Sequence, residues 1–135
     1  MAKLIYDGEG AVFGRMGTEV AKKLLKGDSV EIYNAEKVIV SGTLDVISEK
    51  IRSKRNMGSG GSLKGPKYIR QEDRLLKRMI RGMLPWDRTK GREAYKRLKC
   101  HIGTSELKEG EEMTKFEHKS PMKFVNFKEV VAKLK

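Results

Sequence analysis

Short apolar runs separated by glycine divide this chain into segments of two different periods. "KLIYD" (3–7) predicts a strand, "GEGAVFG" a turn-rich loop, and the run from about Met16 to Lys26 a helix stopped by Gly27. "SVEIYNAEKVIVSG" (29–42) holds two β-branched apolar runs, Val30 to Tyr33 and Val38 to Val40, broken by Asn34 to Lys37. Both are expected in one sheet, the second as a candidate hairpin partner of the first. Leu44, Ile47 and Ile51 recur at helical spacing, so a helix is expected from Thr43 to about Arg55, capped by Ser41 or Thr43.

The pattern then stops. "NMGSGGSLKGPKY" (56–68) has four Gly, two Ser and one Pro in thirteen residues, which predicts a loop, mobile when unbound. Helical spacing resumes in "IRQEDRLLKRMIRGM" (69–83), where Glu72 and Asp73 occupy the first turn, favoured there by the helix dipole, and Pro85 must end or redirect the helix. A further helix is expected from Thr89 to Leu98, a fourth short strand in "KCHIG" (99–103), and irregular chain from 104 to 122. Asn126 then begins a closing amphipathic helix, "NFKEVVAKLK". Strands alternating with helices imply an α/β layered fold with a small, mainly parallel sheet of about four strands, in a single domain over 1–135.

One of these helices has two opposed faces. At 100° per residue, Leu75, Leu76, Met79, Ile80 and Met83 point one way, and Arg74, Lys77, Arg78 and Arg81 nearly the other. The apolar stripe can bury against the sheet while four cations stand along about two turns, near the spacing of successive phosphates. A lone helix of this kind is more often a solvated surface face, so the neighbouring charge decides. Lys50, Arg52, Lys54, Arg55, Lys64, Lys67 and Arg70 precede it, and Arg88, Lys90, Arg92, Lys96, Arg97 and Lys99 follow.

The formal charge is +12 over 135 residues, and residues 50–99 hold 17 Lys or Arg against 4 Asp or Glu. The rest of the chain is nearly balanced. A field segregated in this way attracts a polyanion, whereas a solubility device would be spread over all faces. Nucleic acid is the leading partner. A Gly-rich loop flanked by cations can thread into folded RNA and order on contact, or serve only as a linker. Trp86 and Tyr95 can stack on bases or pack against the helix pair, with packing favoured for Tyr95. No helix-turn-helix, zinc-finger or aromatic RNA-recognition pattern is present, so shape and backbone recognition is expected rather than base reading.

Competing chemistry is thin. Gly8, Gly10 and Gly14 follow a strand and precede a helix, the setting of a dinucleotide phosphate loop, with Glu36 or Glu31 as the ribose acid. This alternative, a small nucleotide-binding enzyme, suffers from Asp7 and Glu9 beside the phosphate position and from two His residues without an acid–base partner. His101 is expected packed or hydrogen-bonded in a strand, and His118 exposed. Cys100 stands alone, excluding an internal disulfide and metal-ligand spacing, and is expected as a small buried hydrophobe. No apolar run reaches the roughly 20 residues of a membrane helix, and the N-terminus lacks the apolar core of a secretion signal.

"YDGEG…GRMGTEVAKKL", "NAEKVIVSG" at 34–42 and "RGMLPWDRTKGREAYKRLKCHIG" at 81–103 together resemble the universal large-subunit ribosomal protein thirteen family, in its archaeal-like form. The distinguishing core is Arg81 to Pro85 followed by Gly91, Arg92, Tyr95, Leu98, Lys99 and Gly103. The resemblance implies a three-layer α/β/α sandwich without catalytic activity, cofactor or small-molecule substrate. It implies binding to large-subunit ribosomal RNA, beside neighbouring ribosomal proteins on the cytoplasmic ribosome, early in subunit assembly. It also implies that Gly14 and Arg15 form a turn with a phosphate-contacting Arg. The expected RNA-binding set is therefore Arg15, Arg52, Lys54, Arg55, Lys64, Lys67, Arg70, Arg74, Lys77, Arg78, Arg81, Trp86, Arg88, Lys90, Arg92, Lys96, Arg97 and Lys99.

Overall fold

A computed structural model describes residues 2–65 and 69–134. Strand β1 (Lys3–Asp7) leads through a tight loop to helix α1 (Phe13–Leu25), and the chain returns as β2 (Ser29–Tyr33), parallel to β1. Helix α1 is held by one buried stripe, Met16, Gly17, Val20, Ala21 and Leu24. It starts at Phe13 rather than Met16. A Gly in the first turn costs only about 1 kcal/mol, and Phe13 packs against the core. Gly27 ends the helix at φ 104°, as its position suggested.

After β2 the chain leaves the sheet. Asn34 adopts a left-handed conformation (φ 56°), and a single 3-10 turn over Ala35–Lys37 delivers β3 (Ile39–Ser41) elsewhere. The expectation that both runs share a sheet is thus wrong. Strand β3 pairs antiparallel with β6 (Phe124–Asn126) in a separate two-stranded sheet, because Asn34 and the 3-10 turn direct the chain away from β2. Helix α2 (Leu44–Arg55) follows, then exposed irregular chain from 56 to 64, with Leu63 projecting almost fully.

Helices α3 (Glu72–Arg81) and α4 (Thr89–Lys96) precede β4 (Leu98–Cys100), which pairs parallel with β2. The segment expected to be irregular supplies β5 (Thr114–Lys115), a parallel neighbour of β1, and helix α5 (Phe127–Leu134) closes the described chain. The main sheet therefore has four parallel strands in the order β4-β2-β1-β5, with β5 instead of β3 as its fourth member. With five α-helices among the described residues, the architecture is α/β and consistent with a three-layer sandwich.

The sheet's two faces differ. Leu4 beside Val30, Tyr6 beside Ile32, and Leu98 beside Val30 make one side apolar. Steps from β1 to β2 and from β2 to β4 run the same way, so right-handed crossovers carry their helices over that side. There α1 and the end of α3 approach closely: a Cβ on Gly17 would stand 2.6 Å from Met83 Sδ. The other face carries Lys3, Glu31, Tyr33 and Lys99, and the chain recrosses it between β4 and β5. Glu111 of that return accepts a hydrogen bond from Lys3 Nζ at 2.9 Å, and His101 stacks on Tyr33 with centroids 4.7 Å apart.

Candidate nucleic-acid interface

Helix α3 separates its faces as the periodicity requires. Leu75, Leu76 and Ile80 are fully buried in the core, with Met79 and Met83 packed against it. Arg74 is exposed, and Lys77, Arg78 and Arg81 are half-buried along the side away from that stripe. Among the described residues, none of these four makes an ion pair. Their charge is therefore available to a partner.

The helix ends at Arg81, ahead of Pro85, in a turn that buries Leu84 and bonds Trp86 N to Leu84 O at 2.8 Å and Arg88 N to Pro85 O at 3.0 Å. Gly91 lets α4 close onto this turn, since a Cβ there would run into the Pro85 carbonyl. Tyr95 of α4 thereby reaches Trp86, whose ring it meets edge-on at 5.2 Å. Arg81 lies over Trp86 at 4.3 Å and Lys77 over Tyr95 at 4.7 Å, so two cations and two aromatics form one continuous array. Trp86 keeps 37% of its surface exposed. Burial pushes the Tyr95 hydroxyl's pKa up, keeping that ring uncharged beside the cations.

Several predicted contacts have other employment. Arg92 Nε donates to Trp86 O at 2.9 Å and so braces the turn. Arg97 donates to Leu24 O at 2.6 Å, at the end of α1, where carbonyls lack helical partners. Arg55 donates to Leu134 O at 2.8 Å and Arg52 to Lys133 O at 3.4 Å, both at the end of α5, and Arg52 also pairs with Glu49 at 3.5 Å. Sequence periodicity could not reveal these ties, because each joins positions more than 70 residues apart or, for Arg92, depends on a turn.

The remaining cations fall in different places. Lys54, Lys64, Arg70, Arg88 and Lys90 are exposed and, among the described residues, without ion pairs. Lys67 lies outside the described residues. Arg15 is not in a turn: with Gly14 it belongs to the first turn of α1, and it lines a groove of about 780 Å³ with Val40 and His118. Lys96, Arg97 and Lys99 line a separate recess together with Lys3 and Lys108, two cations the sequence reading missed. A register that sets Lys99 beside Glu31 across parallel strands leaves no local signal.

The glycine loop holds itself. Gly8 N donates to Tyr33 O at 2.8 Å, Ala11 N to Gly8 O at 3.1 Å, and Glu9 N to Asp7 Oδ1 at 3.0 Å, so these amides have protein acceptors instead of a phosphate. Glu36 accepts from Gly103 N at 3.1 Å, and Glu31 from the Tyr33 hydroxyl at 3.0 Å. A Cβ on Gly8 would fall 2.9 Å from Val38 Cγ2, so that glycine serves close packing. The nucleotide-enzyme alternative is not supported by this geometry. His101, expected in a strand, lies just past the end of β4, but it is packed as expected and stands 2.6 Å from Glu106 Oε2, whereas His118, expected to be exposed, is half-buried on Phe116, its ring stacked at 5.6 Å. Cys100, expected to be buried, is half-buried and packed against the core, and desolvation by its surroundings still pushes the thiol up to about 12. No helix among the described residues is long and apolar enough to cross a membrane.

A family model described as ribosomal protein L13 matches residues 2–107. The large ribosomal subunit protein uL13 of Methanosphaera stadtmanae is 41% identical over 119 residues, 87% of this chain and 84% of that protein. Its counterpart from Archaeoglobus fulgidus is 38% identical over 113 residues, 84% of this chain and 71% of that protein. That of Natronomonas pharaonis is 35% identical over 130 residues, 96% of this chain and 88% of that protein.

Proposed function

The chain belongs to the ribosomal protein L13 family, and from that premise we propose that it binds large-subunit ribosomal RNA through the cationic side of α3 and its continuation beyond Pro85. It is a structural ribosomal protein of the large subunit, not an enzyme. The observation that carries the RNA reading is the array in which Lys77 and Arg81 of α3, a helix whose opposite stripe is buried, meet Tyr95 of α4 and Trp86 of the intervening turn. Rigid packing behind such a row fixes the spacing of charge before a partner arrives, which reduces the ordering cost on binding. Arg74, Arg78, Arg88 and Lys90 extend the row with phosphate contacts.

The chain at about 55–70, exposed over 56–64, adds a second element. Its Gly-rich backbone supplies little packing of its own and orders when inserted between RNA elements, with Lys64, Lys67 and Arg70 meeting phosphates there. The single domain then acts as a wedge early in subunit assembly, on the cytoplasmic ribosome, with neighbouring large-subunit proteins as further partners. The test is reversal of Arg78 and Arg81 to Glu. Binding to large-subunit RNA at moderate salt should fall by at least about 100-fold, and the protein in extract should cease to sediment with the large subunit, with circular dichroism unchanged. Retained binding would assign the RNA to another face.

A further inference from the structure

On the polar side of the sheet, where β1, β2 and β4 begin, a recess of about 470 Å³ is lined by Lys3, Glu31, Lys96, Arg97, Lys99 and Lys108, with Ser29 at its base. We propose that this recess is a phosphate-binding pocket, separate from the side of α3. Its charges do not cancel. Glu31 is the one acid in the lining, and it is already engaged by Lys3 at 3.5 Å and by the Tyr33 hydroxyl at 3.0 Å. Lys3 is matched a second time by Glu111 at 2.9 Å. Lys96, Lys99 and Lys108 have no ion pair among the described residues.

Arg97 is the fixed point. One arm of its guanidinium is pinned to Leu24 O at 2.6 Å, while its buried Nε has no acceptor among the described residues. Gathered cations repel one another. A tetrahedral oxyanion relieves that repulsion, accepting from the ammonium groups and the Ser29 hydroxyl together beside the fixed charge of Arg97. The polar lining excludes an apolar ligand. Three strands, the α4–β4 junction and the returning segment each contribute a group, so the pocket exists only in the folded chain.

The shared chemistry is a phosphate group, presented either by an RNA backbone or by a free phosphate compound. The RNA source rests on the function proposed above, and the free source does not. The probe is inorganic phosphate, titrated into the full chain against chloride of equal ionic strength while thermal unfolding is followed. A saturable rise in Tm is expected for the wild type and for Arg78→Glu, and its loss is expected for Lys99→Gln combined with Lys108→Gln, two exposed positions whose neutralisation leaves the core intact. No rise beyond chloride, or an equal rise in the double variant, overturns the pocket.

RNA binding by the same double variant at about 0.3 M salt, where surface steering is screened, identifies the source. A loss of about tenfold relative to wild type assigns the pocket to the RNA backbone, and an unchanged affinity assigns it to a free phosphate compound. Because Arg78→Glu should keep the phosphate response while weakening RNA binding, failure of the α3 interface and failure of the pocket give different results.

Discussion

The guanidinium of Arg81, the last residue of α3, lies 4.3 Å from the ring centroid of Trp86 across the Pro85 turn. Tyr95 packs in a T-shape on the same indole, with ring centroids 5.2 Å apart. The ring thus orients a cation while α4 holds the ring. A cation–π contact of this kind contributes roughly 0.5–2 kcal/mol. Replacing Trp86 by Ala should therefore weaken RNA binding about 2- to 30-fold, and Trp86→Phe by less. Trp86 is the sole tryptophan, so its fluorescence reports directly on the site. Quenching during an RNA titration is expected, and an unchanged spectrum with unchanged affinity would place the RNA elsewhere.

Cations on this surface should separate into two classes when removed one at a time. Arg74 and Arg78 are unpaired among the described residues, so each change to Ala should reduce the slope of log affinity against log salt by about 0.7 to 0.9. Arg55 instead caps α5 through Leu134 O, so Arg55→Ala should leave the slope almost unchanged. Its stability should fall by about 1–2 kcal/mol in urea, the value of a half-buried charged hydrogen bond after solvent screening. A full slope change at Arg55 would contradict the division.

That division marks what was legible in the sequence. The amphipathic period of α3 and the turn signal at Pro85 were local, and the structure has both the two-faced helix and the turn that ends it. Strand β5 could not be seen: Thr114 and Lys115 carry no β-branched run, and they form a strand only because β1 offers a free edge. The displacement of β3 depended on a left-handed Asn34, one of the residue types that tolerate that conformation but do not announce it. The structural duties of Arg55 and Arg97 followed from contacts with helix ends far along the chain. Composition counted them correctly as charge but carried no sign of these hydrogen bonds.

The thiol of Cys100 gives a test of the α3–β4 packing that needs no RNA. Burial, the largest influence, raises its pKa to about 12, with Lys77 opposing and Asp73 assisting. At pH 8 the thiolate fraction is then near 10⁻⁴, so alkylation by iodoacetamide should be slow in the native protein and fast in denaturant. The native rate should rise with pH up to that region without an inflection between pH 7 and 9. An inflection there would mean the thiol is open to solvent.

Two glycines at helix contacts should respond unequally to a methyl group. A Cβ on Gly91 would strike the Pro85 carbonyl, which is backbone in a tight turn and cannot yield without moving the Trp86 loop. A Cβ on Gly17 would meet Met83 Sδ at 2.6 Å, the end of a flexible side chain that can adopt another rotamer. Gly91→Ala should cost about 3 kcal/mol or more and also weaken RNA binding, whereas Gly17→Ala should cost about 1 kcal/mol and leave binding alone. Chemical denaturation and an RNA titration on each variant decide the matter.

Asn34 combines two roles that substitutions can separate. Its Nδ2 donates to the buried Asp7 Oδ1 at 2.8 Å, an oxygen that also accepts from Glu9 N at 3.0 Å, and its backbone sits at φ 56°. Asn34→Gly keeps the backbone free to adopt that angle but strips the carboxylate of one donor, which should cost about 1–3 kcal/mol. Asn34→Ala loses the donor as well and must carry a Cβ into the left-handed region, adding about 1 kcal/mol. Denaturant midpoints should therefore fall in the order wild type, Gly, Ala. If Gly and Ala were equally destabilising, the backbone angle would contribute nothing. If Gly matched wild type, the hydrogen bond to Asp7 would be dispensable, and the turn that ejects β3 from the sheet would rest on chain geometry alone.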